Sequence, residues 1–182
     1  FLSDAEEKNL RARERLHCYD EKTGRLLWTH SDEVTYPEWA FDAASDAGPD
    51  GTPLSAGGKV YAFGRMGNLL CLDVRDGAVI WEKDLPKACG IGDTFGTTPS
   101  PLIEGNVLIL VTGGQPDSGV LAFDKDTGKE VWRALSDRWS YSSPIVISAG
   151  GKRQLIVWTP DAINSLDPAT GRAWWRERRS EL

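Results

Sequence analysis

The chain has 182 residues and a formal net charge of −6; 26% of its residues are charged and 40% are hydrophobic. These proportions are typical of a globular protein and exclude a disordered, collagen-like or helical transmembrane chain. The acidic balance argues against nucleic acid as a partner. The unusual figures are 8 Trp and 19 Gly, because a buried indole needs a partner for its N–H.

The first predicted unit, residues 1–31, is incomplete. Phe1-Leu2 is interpreted as the end of a strand, and Glu6 to Glu14 as a charged loop between strands. The sequence starts at Phe rather than Met, so it is predicted to be a fragment or a processed piece. The lack of a signal-peptide pattern therefore carries little weight. The unit ends in Asp20-Glu-Lys-Thr23-Gly24-Arg-Leu-Leu-Trp28.

This ending has the chemistry of a short β-hairpin. The Asp side chain can accept hydrogen bonds from backbone N–H groups just ahead of it, and Gly takes the positive φ that closes the turn. The pattern Asp-x-x-[Thr/Asp]-Gly-x-x-x-Trp recurs every 43 to 53 residues. Its four copies contain Asp20, Gly24 and Trp28; Asp73, Gly77 and Trp81; Asp124, Gly128 and Trp132; and Asp167, Gly171 and Trp175.

Three complete units follow, over residues 52–84, 98–135 and 142–178. Each begins with a small residue and Pro, as in Thr52-Pro53, and continues through a Gly-containing turn into an apolar strand. Proline is tolerated at the first residue of a strand. Each unit therefore reads as four short antiparallel strands, and a repeat of this length is typical of propeller blades.

The residue two positions before each motif Asp is always small, and the residue just before the Asp is large and apolar or aromatic. This pattern predicts a strand that is covered on both faces, as in a blade between two neighbours. Structural packing then explains Cys18 and Cys71, which fill the position that Ala122 and Ser165 fill elsewhere. With Cys89 they form an odd, scattered set that predicts no disulfide framework.

All four copies resemble the tryptophan-docking repeat of the pyrroloquinoline-quinone-like (PQQ-like) propellers, with one departure, Asp76 in the Thr position. The resemblance implies that each motif Trp docks against the neighbouring blade and that the full ring commonly has eight blades. The fold class is therefore all-β, a β-propeller of four-stranded antiparallel blades. This chain is expected to be a partial ring of three blades plus part of a fourth.

The resemblance implies two function classes. One is a non-catalytic binding or scaffold module, resembling outer-membrane assembly propellers; the alternative is part of a PQQ-dependent alcohol or sugar dehydrogenase. The sequence lacks an adjacent Cys pair, a haem-attachment motif and EF-hand spacing. We therefore predict no catalytic or metal-binding residues and favour the non-catalytic class. No cofactor is evident; PQQ with Ca²⁺ belongs only to the alternative.

A binding surface is expected where one blade connects to the next, at residues 33–51, at residues 84–98 and near Asp137. Aromatic side chains with a few charges on loops are typical of recognition surfaces. The alternative is that these aromatics only plug the ring or cover blade edges. The candidate residues are Trp39, Phe41, Asp42, Asp93, Phe95, Arg138, Trp139 and Tyr141.

The expected partner is a protein or a small-molecule ligand on the propeller face. No window of apolar residues is long enough to span a membrane. Two exposed apolar blade faces would make the isolated chain self-associate. The sequence itself does not report the compartment, and a periplasmic or exported location is what the resemblance implies.

Overall fold

The computed structural model describes residues 9–37, 51–89, 91 and 99–178. Three of its sheets have four strands and one has two. Neighbouring strands in each sheet are consecutive in the chain and antiparallel. Up-and-down sheets of this kind are the blades of a β-propeller. The described residues thus form a partial ring of three blades and part of a fourth, which confirms the predicted architecture.

The strand bounds follow the chain, sheet by sheet. The first sheet contains β1 (Asn9–Tyr19) and β2 (Leu26–Pro37). The second contains β3 (Leu54–Ala56), β4 (Lys59–Phe63), β5 (Asn68–Asp73) and β6 (Val79–Asp84), and a short helix, α1 (Leu85–Cys89), follows it. The third contains β7 (Leu102–Glu104), β8 (Val107–Gly114), β9 (Ser118–Asp124) and β10 (Glu130–Ala134). The fourth contains β11 (Ile145–Ala149), β12 (Lys152–Trp158), β13 (Ala162–Leu166) and β14 (Ala173–Arg178).

The predicted loop at Glu6 to Glu14 is wrong from residue 9 onward, because β1 begins there and pairs with β2. Side chains along β1 alternate: Arg11, Arg13 and Arg15 are exposed, and the residues between them are partly buried. Glu14 points inward, where it accepts hydrogen bonds from the Tyr36 hydroxyl and, at 3.3 Å, from the backbone N–H of Arg65. The many charged residues suggested a loop, but exposed and partly buried side chains alternate along this segment, and that alternation favours a strand. Phe1-Leu2 lies outside the described residues.

Two predicted connections are shorter than expected. Strand β2 continues to Pro37, so residues 33–37 of the first connection are strand. In the second connection, residues 85–89 form α1, whose Leu85 and Cys89 are buried. The Lys87 backbone N–H donates to the Asp84 carboxylate at 3.1 Å, and this bond covers a free donor at the start of the helix.

The motif Asp organises each hairpin turn. At the first copy, Oδ1 of Asp20 accepts from the Thr23 backbone N–H at 2.8 Å and from the Thr23 hydroxyl at 2.7 Å. The backbone N–H of Gly24, whose φ is +67°, donates to the Asp20 carbonyl at 2.8 Å. Only a residue without Cβ adopts this φ freely.

The second copy tolerates Asp76 in the Thr position because the hydrogen bonds are redistributed. Asp76 cannot donate to Asp73, and its carboxylate instead accepts the Ala78 backbone N–H at 3.0 Å. Arg75 replaces the Thr hydroxyl as the side-chain donor to Asp73, through its Nε at 2.9 Å and its Nη2 at 2.5 Å. These Arg75 bonds lower the pKa of Asp73 to about 2.

The core lies between the sheets, and β8 is buried on both faces. Its Leu108 and Leu110 belong to a cluster shared with the second sheet, whereas Ile109 and Val111 belong to a cluster shared with the fourth. All four side chains are at most 2% exposed. A strand covered on both faces carries a continuous apolar run rather than an alternating one.

Three motif tryptophans lie between sheets. Each packs on the motif glycine of the following sheet, where an added Cβ would come within 2.8 Å of an indole atom. Each indole N–H also donates to the carbonyl of the residue after the motif Asp of that sheet. The pairs are Trp28 on Gly77 with Val74 O at 2.9 Å, Trp81 on Gly128 with Lys125 O at 3.2 Å, and Trp132 on Gly171 with Pro168 O at 3.1 Å.

The strands end at two opposite faces. One face, called here the hairpin face, carries the four motif turns. The other, the connection face, carries the links between sheets together with the turns at residues 64–67, 115–117 and 159–161. This division follows from the alternating direction of the strands, and it places the connection at residues 135–144 on the connection face.

Candidate functional site: the connection between the third and fourth sheets

The predicted surface residues that the structure describes lie in the connection at residues 135–144, between β10 and β11. Its backbone passes directly over Gly113 of β8. A Cβ on Gly113 would lie 2.1 Å from the Trp139 backbone nitrogen, and the φ of Gly113 is +67°. The close approach therefore requires glycine and fixes where the loop crosses the blade.

A buried carboxylate anchors this connection to the fourth sheet. Asp137 is 8% exposed, and its two oxygens accept from Nη1 of Arg176 at 2.8 and 2.9 Å. The Thr159 hydroxyl donates to Asp137 at 2.5 Å. Arg176 Nη1 also donates to the side-chain oxygen of Asn164 at 2.9 Å. A buried charge needs such partners, because an unpaired one loses its solvation without compensation.

The anchor is charged at neutral pH. Burial acts to raise the pKa of Asp137, but hydrogen bonds from Arg176, Thr159 and Asn164 and the charge of Arg176 outweigh it and lower the pKa below its ordinary value of 3.8. Aspartate is thus the form that holds the connection in place.

Beyond the anchor the connection presents aromatic rings to solvent. The rings of Trp139 and Tyr141 meet edge to face, with centroids 5.6 Å apart and planes at 88°. Tyr141 is 76% exposed. The Ser140 hydroxyl donates to the Trp158 carbonyl at 2.5 Å and fixes the turn between the two rings. Arg138 lies 3.4 Å from Asp161, in an exposed ion pair.

Three of the predicted surface residues therefore lie together in one connection: Arg138, Trp139 and Tyr141. The other five, Trp39, Phe41, Asp42, Asp93 and Phe95, lie outside the described residues. Sequence reasoning missed the anchor's partners Thr159, Asn164 and Arg176. Asn164 carried a signal, because it is a polar residue in the apolar strand β13.

A second concave region lies between the first and second sheets. Glu14, His30, Asp32, Phe63 and Asn68 help to line a cleft of about 50 Å³, which holds only a few water molecules. His30 Nε2 lies 3.1 Å from both Asp32 carboxylate oxygens. The cleft is far smaller than the 300 Å³ or more of ordinary ligand pockets.

The three cysteines, Cys18, Cys71 and Cys89, are free, and Cys71 and Cys89 are buried. Burial raises the pKa of the Cys71 thiol to about 11. Burial likewise raises the pKa of Cys89, whose Sγ is 3.9 Å from a Glu130 oxygen. Reactive thiols have lowered pKa values, so these two side chains are packing residues.

Within residues 9–37, 51–89, 91 and 99–178, no three His, Cys, Asp or Glu side chains come together as a metal site would require. No helix in this part of the chain is long and apolar enough to cross a membrane.

Consecutive four-stranded blades, each closed by an Asp-x-x-x-Gly hairpin that receives the Trp of the preceding blade, define a PQQ-like β-propeller. A family model described as "Outer membrane protein assembly factor BamB" matches residues 12–181. The chain belongs to this family.

Relatives of two kinds match the chain. Outer membrane protein assembly factor BamB of Salmonella typhimurium is 28% identical over 131 residues, which cover 68% of this chain and 30% of that protein. A quinohemoprotein alcohol dehydrogenase of Comamonas testosteroni is 27% identical over 148 residues, which cover 80% of this chain and 20% of that protein. The chain thus matches less than a third of the length of either relative.

Solved structures share the fold. The crystal structure of BamB from Moraxella catarrhalis superposes with a TM-score of 0.55 at 21% identity, covering 91% of this chain and 42% of that one. At this identity the likeness concerns the architecture alone, since one fold hosts many functions.

Proposed function

We propose that this chain is part of a non-catalytic propeller that binds a protein partner in outer-membrane assembly, in an exported or periplasmic location. The observation that carries the proposal is the anchored aromatic connection, in which the ion pair of the buried Asp137 with the partly exposed Arg176 holds Trp139 and the exposed Tyr141. Membership of the assembly-factor family supports the same class.

The arrangement suits protein recognition. Aromatic residues and Arg are enriched in the energetically important parts of interfaces. Tyr141 and Arg138 expose both kinds of group. The loop that carries them is held by the ion pair of the buried Asp137 with Arg176 and by the crossing over Gly113. A loop fixed in advance loses less conformational entropy on binding.

The test uses a photoreactive amino acid in the full-length protein, in its native host. Replacing Tyr141 with p-benzoyl-phenylalanine is expected to give a crosslink to a protein of the outer-membrane assembly machinery. The matched control is the same replacement at Tyr19, which is 55% exposed but lies at the hairpin face. Equal crosslinking at both positions, or none at Tyr141, would contradict the proposal.

A second measurement tests Tyr141 as a contact residue. Tyr141→Ala should weaken binding to the captured partner about thirtyfold, because aromatic hot spots contribute about 2 kcal/mol. The fold should be unaffected, since the side chain is exposed. Val131→Ala, at a half-exposed position on β10, is the control that should leave binding unchanged.

The second candidate function is part of a quinoprotein dehydrogenase, favoured by the match to the Comamonas testosteroni enzyme over 80% of this chain. It is tested by titrating the full-length protein with PQQ and Ca²⁺ and then measuring dye-linked oxidation of alcohols or sugars. Saturable cofactor binding with turnover would overturn the non-catalytic proposal.

A further inference from the structure

The turn between the second and third strands of a sheet is covered in the second sheet. This turn, at residues 64–67, lies against the first sheet. The Arg65 backbone N–H donates to Glu14 at 3.3 Å, and Met66 packs against Tyr36. Strand β2, with twelve residues, is long enough to reach it. The turn is therefore part of the packing between two sheets.

The corresponding turn of the third sheet, at residues 115–117, is open. All three of its residues are exposed, whereas Gly114 and Ser118 on either side are buried. The preceding outer strand, β6, has only six residues. The third sheet packs against a described sheet on each side, so a missing neighbour does not cause this exposure. The turn is a free surface of the connection face.

Hydrogen bonds join this turn to the start of the connection at residues 135–144. The Ser136 hydroxyl accepts the Asp117 backbone N–H at 3.0 Å and donates to the Asp117 carboxylate at 3.2 Å. The Gln115 side-chain amide donates to the Ser136 carbonyl at 3.0 Å. The turn and the connection are thus held together, and residues 115–117 and 135–144 are called here the composite surface.

Backbone strain is concentrated at the same junction. Among the described residues, the positive φ values outside glycine are those of Asp117, at +48°, and Leu135, at +62°. The Leu135 carbonyl accepts the Gly119 backbone N–H at 2.8 Å. A left-handed conformation is unfavourable for a residue with a Cβ. Such strain persists where the surroundings hold it and collects at functional sites, so the junction points to a binding role.

The composite surface carries a negative charge that the described residues leave uncompensated. Asp117 forms no ion pair with any of them, and the cations on this side of the third and fourth sheets have other partners. Arg138 pairs with Asp161 at 3.4 Å, and Arg133 pairs with Glu130 at 2.7 Å. An exposed carboxylate beside exposed aromatic rings suits a cationic side chain, which can pair with the first and lie against the second.

We propose that the composite surface receives a Lys- or Arg-bearing segment of the partner protein, with Asp117 paired to its cation and Tyr141 beside it. The inference rests on the proposed function, because it concerns the same partner. It adds the turn at residues 115–117 as a second contact element and gives the partner's charge.

The first test places p-benzoyl-phenylalanine at Gln115 of the full-length protein in its native host, alongside the replacement at Tyr141. Both positions are expected to capture the same protein of the outer-membrane assembly machinery. The matched control is Lys129, an exposed residue of the same sheet that lies in the motif turn on the hairpin face. It should not capture that protein.

The second test measures binding of the purified protein that Tyr141 captures. Asp117→Asn removes the charge but keeps the shape and tolerates positive φ. It should weaken binding about two- to fivefold at low salt, as expected for an exposed ion pair, and should make binding less sensitive to salt. Asp76→Asn, at an exposed turn carboxylate on the hairpin face, is the matched control and should bind like the wild type.

The outcomes separate this inference from the proposed function. Capture at Tyr141 without capture at Gln115 overturns the composite surface and leaves the proposed function standing. Capture at Gln115 alone also contradicts a shared surface, and capture at neither position overturns both proposals. If both positions capture the protein but Asp117→Asn binds it with wild-type affinity and salt dependence, the cationic segment is refuted. Circular dichroism checks that each variant is folded.

Discussion

Trp132 and Trp175 occupy the same position of the same motif, yet their surroundings differ. Trp132 is 8% exposed, packs on Gly171 and donates to a carbonyl of the next sheet; Trp175 is 44% exposed and donates within its own sheet. The motif therefore does not make a Trp a core residue. Among the described residues, a motif Trp is covered where it packs on the hairpin of another sheet, so neighbouring blades share a core.

The motif glycines of the first and fourth sheets show the same contrast. Gly171 and Gly24 share a positive φ, of +72° and +67°, but only Gly171 is covered by an indole. Glycine serves one purpose at Gly24, the backbone turn, and two at Gly171, the turn and the close approach of Trp132. The four predictions below use such covered and open pairs.

The largest effect is expected for Trp132→Ala. Truncating a buried aromatic side chain costs about 3–5 kcal/mol of stability, and this change also leaves the Pro168 carbonyl without its donor. The measurement is urea unfolding at low protein concentration. Trp175→Ala is the matched open position and should cost less than about 1 kcal/mol. Equal losses of unfolding free energy for the two variants would contradict the difference between the two tryptophans.

A smaller effect is expected for Gly171→Ala, whose Cβ would lie 2.5 Å from Trp132 Cε3 at a φ of +72°. Strain at positive φ costs about 1 kcal/mol, and displacing the indole adds about 1–3 kcal/mol of overpacking. Gly24→Ala should lose only the contribution from strain at positive φ. The difference in free energy of unfolding between the two variants therefore isolates the docking contact, and a difference near zero would refute it.

A similar contrast separates two ion pairs of the connection. Asp137→Ala should cost about 2 kcal/mol, less than the 3–5 kcal/mol of a fully buried pair, because the side chain of Arg176 is 33% exposed. Arg138→Ala breaks the exposed pair with Asp161 and should cost less than about 0.5 kcal/mol. Thermal unfolding of both variants is the check. A larger loss for Arg138→Ala would reverse the assignment of the anchor.

The smallest effect is a pH dependence. The folded-state pKa of Asp137 lies below its ordinary value of 3.8, so its stabilisation is fully present above about pH 4 and is lost as pH falls through the folded pKa. Asp137→Asn should therefore show a shallower decline of unfolding free energy below pH 4 than the wild type. Arg138→Ala should keep the wild-type decline, and an unchanged slope for Asp137→Asn would contradict the role of the anchor.

Much of the fold could be predicted because its signals are local. The motif Asp and its Gly are four residues apart, and the hydrogen bonds from Thr23 to Asp20 remain inside one turn. Spacing then gives the number of blades. The prediction failed at Glu14, whose inward position depends on Tyr36 and on Arg65, a residue 51 positions away.

Only part of the candidate site could be predicted from the sequence. Aromatic residues near Asp137 indicated a recognition loop, but the partner that holds it, Arg176, is 39 positions away. Nothing in the local sequence around Arg176 distinguishes it from the exposed arginines on β1. The pairing exists because antiparallel strands bring β14 beside β13 and beneath the connection.

The sequence by itself therefore determined the repeat, the hairpins and the glycines with positive φ, because each of these is fixed by residues a few positions apart. Tertiary structure alone decided which motif Trp is buried and which remains open. It also decided which of the charged residues anchors a loop. Burial and desolvation depend on neighbours that are distant in the chain, and identical motifs acquire different energies when those neighbours differ.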